Sequence, residues 1–476
     1  MGDYWGCGDM VPSVQSADIS EVQRYERWKM ALLAICFFVV LGGYSIVKEL
    51  KDFVFLKIVG LEYVSEVKIY SIFALIPLVF LYSRFVDVLH RHQLLYLYAF
   101  IYSIGGLVCV YFIGHPTIGL ANTDTGRGRL FGWIFYFFME GYVPFVVSLL
   151  WAFFNSITKP GDVKSSYVFM TIASKAGGAV VVSAALVLLS LVNSGTLVLS
   201  TPAIVQIMLT AASFGVLLAP LAIMILMRTV PKKYLHGYEA VYRFEKERDK
   251  KGLYKGLWGA IRGIFDGIYV FFRFPYMLGI FGMIFFWEVI NVTFNIIRLG
   301  VGESCTNTPI AFLTYLFEQI LFMHIVGIAI VLIGTRTLIT WLGERRSLIA
   351  IPVLTGIALG YYLVFQTLAA ATLAYVVMRA INYALAYPLR ESLYIPTTKN
   401  MKFKTKSWID GFGQKISKAG GGSYSWIAQH VSQASVFSLH IGFFACIIGA
   451  WSLTAHLLGR RFEKAVENNE VIGAEE

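Results

Sequence analysis

Long apolar runs separated by short polar breaks dominate the chain. Twelve can be read: 30–59, 67–83, 93–114, 130–157, 165–192 and 203–228, then 275–297, 310–334, 347–367, 369–389, 408–432 and 434–458. At about 1.5 Å per helical residue, each can cross a hydrocarbon layer of roughly 30 Å. The pattern predicts an all-α membrane protein with twelve transmembrane helices, the eleventh being the least hydrophobic. A surface-lying amphipathic helix is expected in the break between the sixth and seventh runs.

One run is interrupted from inside. Lys48-Glu49-Leu-Lys51-Asp52 lies deep in the first, and the apolar pattern resumes at once with Phe53. An ionisable group exposed to lipid at mid-bilayer costs from about 2.5 to more than 10 kcal/mol, so such groups persist where they pair or face a cavity. On one helical ridge Tyr44, Lys48, Lys51 and Phe55 are expected to set two cations between two aromatic rings. On another, Lys48 can pair with Asp52, and Ser45 with Glu49. Helix seven carries a comparable face: Glu288, Asn291, Asn295 and Arg298, with Trp287 just before them. A polar contact between helices explains Asn291 and Asn295 as well as a cavity does. Glu140, with Asn155 further along the fourth run, and Arg379 with Asn382 in the tenth are further candidates. Glu318 and His324 in the eighth are weaker ones.

Composition narrows the class. The 476 residues are 57% hydrophobic and 14% charged, with mean hydropathy +0.66, a balance outside that of soluble domains. The net charge of +11 is placed where orientation needs it. Basic residues follow the even-numbered runs: Arg84 and Arg91, Lys159 and Lys164, the stretch Arg228 to Arg273, Arg336 to Arg346, and Arg390 to Lys406. The other loops hold only Lys68, Arg127, Arg129 and Arg298. This alternation predicts cytoplasmic termini and argues against a nucleic-acid polymer as partner. The five cysteines are scattered singly, so neither a metal site, a cofactor nor a disulfide framework is expected. The polar first 29 residues, with Asp18, Glu21 and Glu26, do not resemble a secretory or transit signal. A bacterial inner membrane is therefore expected ahead of a plastid envelope.

Ser174-Lys-Ala-Gly-Gly178 recurs as Ser417-Lys-Ala-Gly-Gly421, an offset of 417 − 174 = 243 residues. Placed after the fourth and tenth runs, the repeat predicts two six-helix halves, a major-facilitator-like architecture. The expected organisation is a cytoplasmic segment 1–29, a bundle 30–228, a basic linker 229–273, a second bundle 274–458 and a tail 459–476. The repeated glycines permit close backbone approach, either for tight helix packing or for a phosphate held beside exposed amides by the lysine of each segment, Lys175 or Lys418. No GxxxxGK[ST], HExxH or Ser/His/Asp arrangement is present, so an enzyme is not expected.

The assembled motifs resemble the bacterial and plastid ATP/ADP translocases. Tyr44-Ser-Ile-Val-Lys-Glu-Leu-Lys-Asp52 is similar to the first-helix motif Tyr-Thr-Ile-Leu-Arg-Asp-Thr-Lys-Asp of that family. Glu140 with Trp151-Ala-Phe-Phe-Asn-Ser-Ile-Thr158 resembles its fourth helix, and Pro388 to Thr397 its tenth. In helix seven the family's Glu-Val-Thr-Trp-Lys is replaced by Asn291-Val-Thr-Phe-Asn295. The loss of both charges bears on strict ATP/ADP exchange more than on nucleotide recognition. The resemblance implies Lys51, Glu140 and a basic residue near helices ten and eleven in nucleotide transport. The expected function is nucleotide transport across the lipid bilayer by alternating access. Lys48, Lys51, Arg379 and Lys418 would bind phosphates; Tyr44, Phe55 or Trp287 would stack on the base. Glu49, Asp52 or Glu140 would gate or couple, with protons or phosphate as coupled ions. The alternatives are a proton-coupled carrier of another phosphorylated or organic anion and, more distantly, a lipid-linked membrane enzyme.

Overall fold

A computed structural model describes residues 15–158, 163–231, 234–235, 273–333, 342–398, 409, 413–468 and 470–473. The described residues are almost wholly helical, with one isolated bridge between Thr397 and Ile472. In a bilayer this is what chemistry demands, because a helix satisfies its backbone groups internally.

The elements are α1 (Gln15–Ile58), α2 (Val64–Val88), α3 (Arg91–Ile113), α4 (Leu130–Glu140), α5 (Ser148–Ile157), α6 (Val163–Asn193) and α7 (Thr201–Thr229). They continue as α8 (Pro275–Cys305), α9 (Pro309–Ile333), α10 (Glu344–Phe365), α11 (Leu368–Ile381), α12 (Tyr387–Ser392), α13 (Gln414–Gln429) and α14 (Gln433–Glu467). Every apolar run contains a helix, but lengths differ from expectation. The first helix starts fifteen residues early, at Gln15 rather than 30. Nine helices among the described residues are long and apolar enough to cross a membrane. The eleventh run contributes α13, only 16 residues long, with three adjacent glycines and Lys415 and Lys418 diluting its hydropathy. Nearly all of the basic linker lies outside the described residues, as do Lys159 and 399–408.

Two spans are broken by π turns, Val143–Val147 between α4 and α5 and Asn382–Ala386 between α11 and α12. Pro144 cannot donate to the Glu140 carbonyl, so the backbone there widens to an i→i−5 bond, Ser148 to Val143. Glu140 and Arg379 each stand three residues before such a turn.

Packing repeats along the chain. α1 packs on α6, α7 and α4, while α8 packs on α13, α14 and α11; α3 packs on α7, and α10 on α14. Two further contacts, α6 with α9 and α2 with α13, join the earlier helices to the later ones. The repeated glycines explain the closest crossings. A side chain at Gly177 would overlap the Phe38 carbonyl of α1, and one at Gly421 would meet the Val289 carbonyl oxygen of α8 at 2.7 Å.

Candidate functional site

The helix does not end at Lys48. α1 runs straight through the charged stretch, which faces α4, α8, α9 and α11; Glu49, Lys51 and Asp52 are buried there and Lys48 partly so. Glu49, fully buried, accepts from the Arg298 guanidinium at 2.8 Å. That guanidinium also donates to Gln319 Oε1 at 2.7 Å and to Asn295 Oδ1 at 2.9 Å. Asp52 accepts from Lys68 at 3.0 Å and from the Asn295 amide at 3.0 Å. Asp52 and Asn295 are 243 residues apart, the offset of the sequence repeat, so equivalent positions of the two repeats meet each other.

Lys51 pairs with Glu140 at 2.5 Å and lies 4.5 Å from the centroid of Tyr136. The other Glu140 oxygen faces Lys415 at 3.5 Å and Lys418 at 3.7 Å. One carboxylate thus holds three ammonium groups from two elements. Lys48 donates to the Tyr375 hydroxyl at 2.6 Å and stands 3.2 Å from Glu49. The face of Tyr375 also receives Arg298 at 4.2 Å and Arg379 at 5.2 Å. Glu288 accepts from Asn291 at 3.2 Å and lies in the field of Arg379. Lys175 rests 3.6 Å from the centroid of Tyr383.

The inventory is lopsided. Among the described residues, eight cations converge here: Lys48, Lys51, Lys68, Lys175, Arg298, Arg379, Lys415 and Lys418. Four carboxylates, Glu49, Asp52, Glu140 and Glu288, face them. Buried charge is tolerated when paired, so four surplus positive charges make a centre suited to a multivalent anion.

Several sequence expectations need correction. Lys48 does not pair with Asp52, nor Ser45 with Glu49: stronger partners on other helices take them, and Ser45 bonds His324 at 2.9 Å. Phe55 is fully buried against Trp133 and Tyr136, and Trp287 is buried beside Trp451; both are core rings with no face to offer a base. Tyr44 alone of the three is half-exposed, stacked on Tyr142. Asn155 is exposed on α5, outside the charged centre, because α4 and α5 are offset by the π turn. Glu318 is exposed, while its neighbour Gln319 points inward. Sequence reasoning did not single out Lys68, Lys415, Tyr136 or Tyr375 as site residues. Lys68 was detectable as a lysine breaking the loop-charge pattern, and Tyr375 as the aromatic one turn before Arg379.

A separate recess of about 530 Å³ lies between α8 and α14, lined by Gly282, Phe285, Leu458 and similar apolar groups. Its one charge, Arg461, is already paired with Glu470, so it has none of the chemistry of the centre.

Helices packed in repeating pairs around a buried polar core define a membrane transporter. The fold is that of solved transporters: a peptide transporter bound to alafosfalin is 12% identical with TM-score 0.56, covering 92% of this chain and 94% of the other. A D-xylose–proton symporter is likewise 12% identical with TM-score 0.59, covering 92% and 98%. These are major-facilitator-like carriers, not enzymes. The sequence model of the TLC ATP/ADP transporter family matches residues 130–462, and the chain belongs to that family. Among curated relatives, ADP,ATP carrier protein 1 of Rickettsia bellii is 22% identical over 94% of this chain and 96% of its own length.

Proposed function

We propose that this chain carries nucleotides across a membrane by alternating access, with two six-helix halves, 30–228 and 274–458, rocking about the charged centre. The observation that carries the reading is the surplus of four positive charges, three of the eight cations being buried and the rest partly buried. A nucleoside di- or triphosphate brings about three to four negative charges near neutral pH. The repeated packing pairs and the meeting of Asp52 with Asn295 support the two-half arrangement.

In this reading Glu140 stands in for substrate. It pairs with Lys51 and faces Lys415 and Lys418 while the centre is empty and is displaced when phosphates arrive. Asp52 and Glu49 tie α1 to Asn295 and Arg298 of α8, holding the halves in register. With nucleotide gone, cations without counter-ions remain, so the empty carrier reorients slowly and exchange is faster than net uptake. Asn295 makes the contact with Asp52 and Asn291 donates to Glu288, in place of the charges usual in the family. The arrangement of basic loops supports cytoplasmic termini in a bacterial inner membrane.

Uptake of labelled ATP and ADP into proteoliposomes tests the reading. The expected result is uptake stimulated by internal ADP, with Lys51→Ala lowering it at least tenfold while the folded protein is retained. Wild-type vesicles that neither import nor exchange any nucleotide would sink the function. Full activity of Lys51→Ala would sink the role given to that residue. Collapse of uptake by a protonophore, without stimulation by internal ADP, would instead mark proton symport.

A further inference from the structure

The two ends of the charged centre differ. Around Glu140 three lysines share a carboxylate. At the other end Lys175 is 7% exposed, and its ammonium contacts the ring of Tyr383. Among the described residues no carboxylate pairs with it, nor with Arg379, which faces Tyr375. Lys48 stands beside them, its ammonium on the Tyr375 hydroxyl. A ring face returns a small part of the solvation that a buried ammonium has lost. Tyr44 lies between the ends, in the fields of Lys51 and Glu140 and of Arg379 and Tyr383.

The repeat explains the asymmetry. Lys175 and Lys418 hold the same place in Ser-Lys-Ala-Gly-Gly, and Glu140 and Arg379 the same place before a π turn. Lys418 therefore meets a carboxylate where Lys175 meets a guanidinium and a phenol. One end of the centre has a carboxylate bonded to its lysines; at the other, Glu288 lies in the field of Arg379 but bonds Asn291.

We infer that Lys175, Arg379 and Lys48, with the Tyr383 and Tyr375 hydroxyls, form a standing subsite for a phosphoryl oxyanion, distinct from the subsite Glu140 occupies. The inference rests on the nucleotide reading above. An Arg fork, two ammonium groups and two phenols suit the several acceptor oxygens of a phosphoryl group. The terminal phosphoryl of a substrate docks here first, because neither Lys175 nor Arg379 holds a carboxylate that has to leave, and Glu49, 3.2 Å from Lys48, keeps Arg298 as its partner. The rest of the polyphosphate reaches Lys51, Lys415 and Lys418 as Glu140 leaves.

The test measures inhibition of labelled nucleotide uptake by AMP, ADP, ATP and inorganic phosphate. It compares the wild type with Lys175→Gln, Arg379→Gln, Lys175→Arg and Tyr383→Glu. If the subsite holds the nucleotide's terminal phosphoryl, the wild type prefers ADP and ATP over AMP. Either Gln variant then loses that preference by about tenfold or more, with AMP unchanged, while Lys175→Arg keeps it. If it holds free phosphate, inhibition by phosphate disappears and the nucleotide constants stay. Gln variants that transport with both properties within about twofold of wild type overturn the proposal.

Should the Gln variants fail to fold, Tyr383→Glu decides. It gives Lys175 an internal carboxylate, so the expected protein is at least as heat-stable and loses phosphoryl preference; a stable variant with preference intact overturns the proposal. Wild-type vesicles without nucleotide uptake refute the proposed function instead. Binding of inorganic pyrophosphate to the purified protein then tests the subsite alone, with loss in Arg379→Gln expected and equal binding overturning it.

Discussion

At the scale of single residues, the decisive feature is that no charge of the Lys48–Asp52 stretch is matched within its own helix alone. Glu49 is fully buried, and its strongest partner, Arg298, is 249 positions away. Removing one member of a buried pair leaves an uncompensated charge and costs about 3–5 kcal/mol. Arg298→Ala is expected near the lower end, because Lys48 remains 3.2 Å from Glu49. Thermal unfolding of the detergent-purified variant measures the loss. The double replacement Glu49→Gln with Arg298→Met should recover most of it, since neither desolvated charge remains; an equal loss in both proteins would show that the pair is not what holds these helices. Lys68 and Arg298 also resolve the exceptions to the loop-charge alternation. Both point inward to Asp52 and Glu49, while Arg127 pairs with Glu66 and Arg129 binds four backbone carbonyls of its loop. Each of these four basic residues is thus held by a partner.

At the scale of elements, helix crossings depend on glycine. Gly42 of α1 and Gly177 of α6 face each other, and the corresponding later crossing sets Phe285 of α8 against Gly420 of α13. The offsets agree, 42 + 243 = 285 and 177 + 243 = 420. At Gly177 the obstacle is the Phe38 backbone, which cannot rotate away. Gly177→Val is therefore expected to cost about 1–3 kcal/mol by overpacking and to displace Lys175, two positions earlier, from Tyr383. Gly215 has nothing near it, so Gly215→Ala in α7 should leave stability unchanged or slightly higher through helix propensity. Comparing the melting temperatures of the two variants checks the argument, and equal effects would refute it. The sequence repeat left open whether its glycines pack or bind phosphate; packing is what these two do.

At the scale of the molecule, α1 and α8 approach each other from Glu49 to Lys57, where Lys57 meets Glu303 at 3.1 Å. Toward the other end α6 and α12 touch through the Tyr167 and Tyr387 hydroxyls at 3.2 Å. Alternating access requires one of these contacts to open while the other holds. The Lys57–Glu303 pair is about 30% exposed on each side, so it is worth at most about 1 kcal/mol. Its effect should fall on rate more than on stability. Lys57→Glu and Glu303→Lys should each alter exchange rate by a few-fold, and the double swap should restore it. Unchanged exchange in both single variants would remove this contact from the transport cycle.

Sequence alone determined the class: twelve apolar runs, charge on alternate loops and a five-residue repeat are local patterns, and a bilayer leaves helices as the answer to them. It also located Lys48, Glu49, Lys51 and Asp52 as misplaced charge, because their cost in lipid depends on composition and not on partners. Which group answers which charge was decided by the tertiary fold. Lys51 finds Glu140 across 89 positions, and Asp52 finds Asn295 across 243, whereas helical spacing suggested partners one turn away. The fold likewise turned Phe55 and Trp287 into core and brought Lys175, Lys415 and Tyr375 inward. The physical reason is that desolvation penalises any unpaired ion wherever it sits, while the pairing that relieves it depends on distances set by packing between helices far apart in the chain.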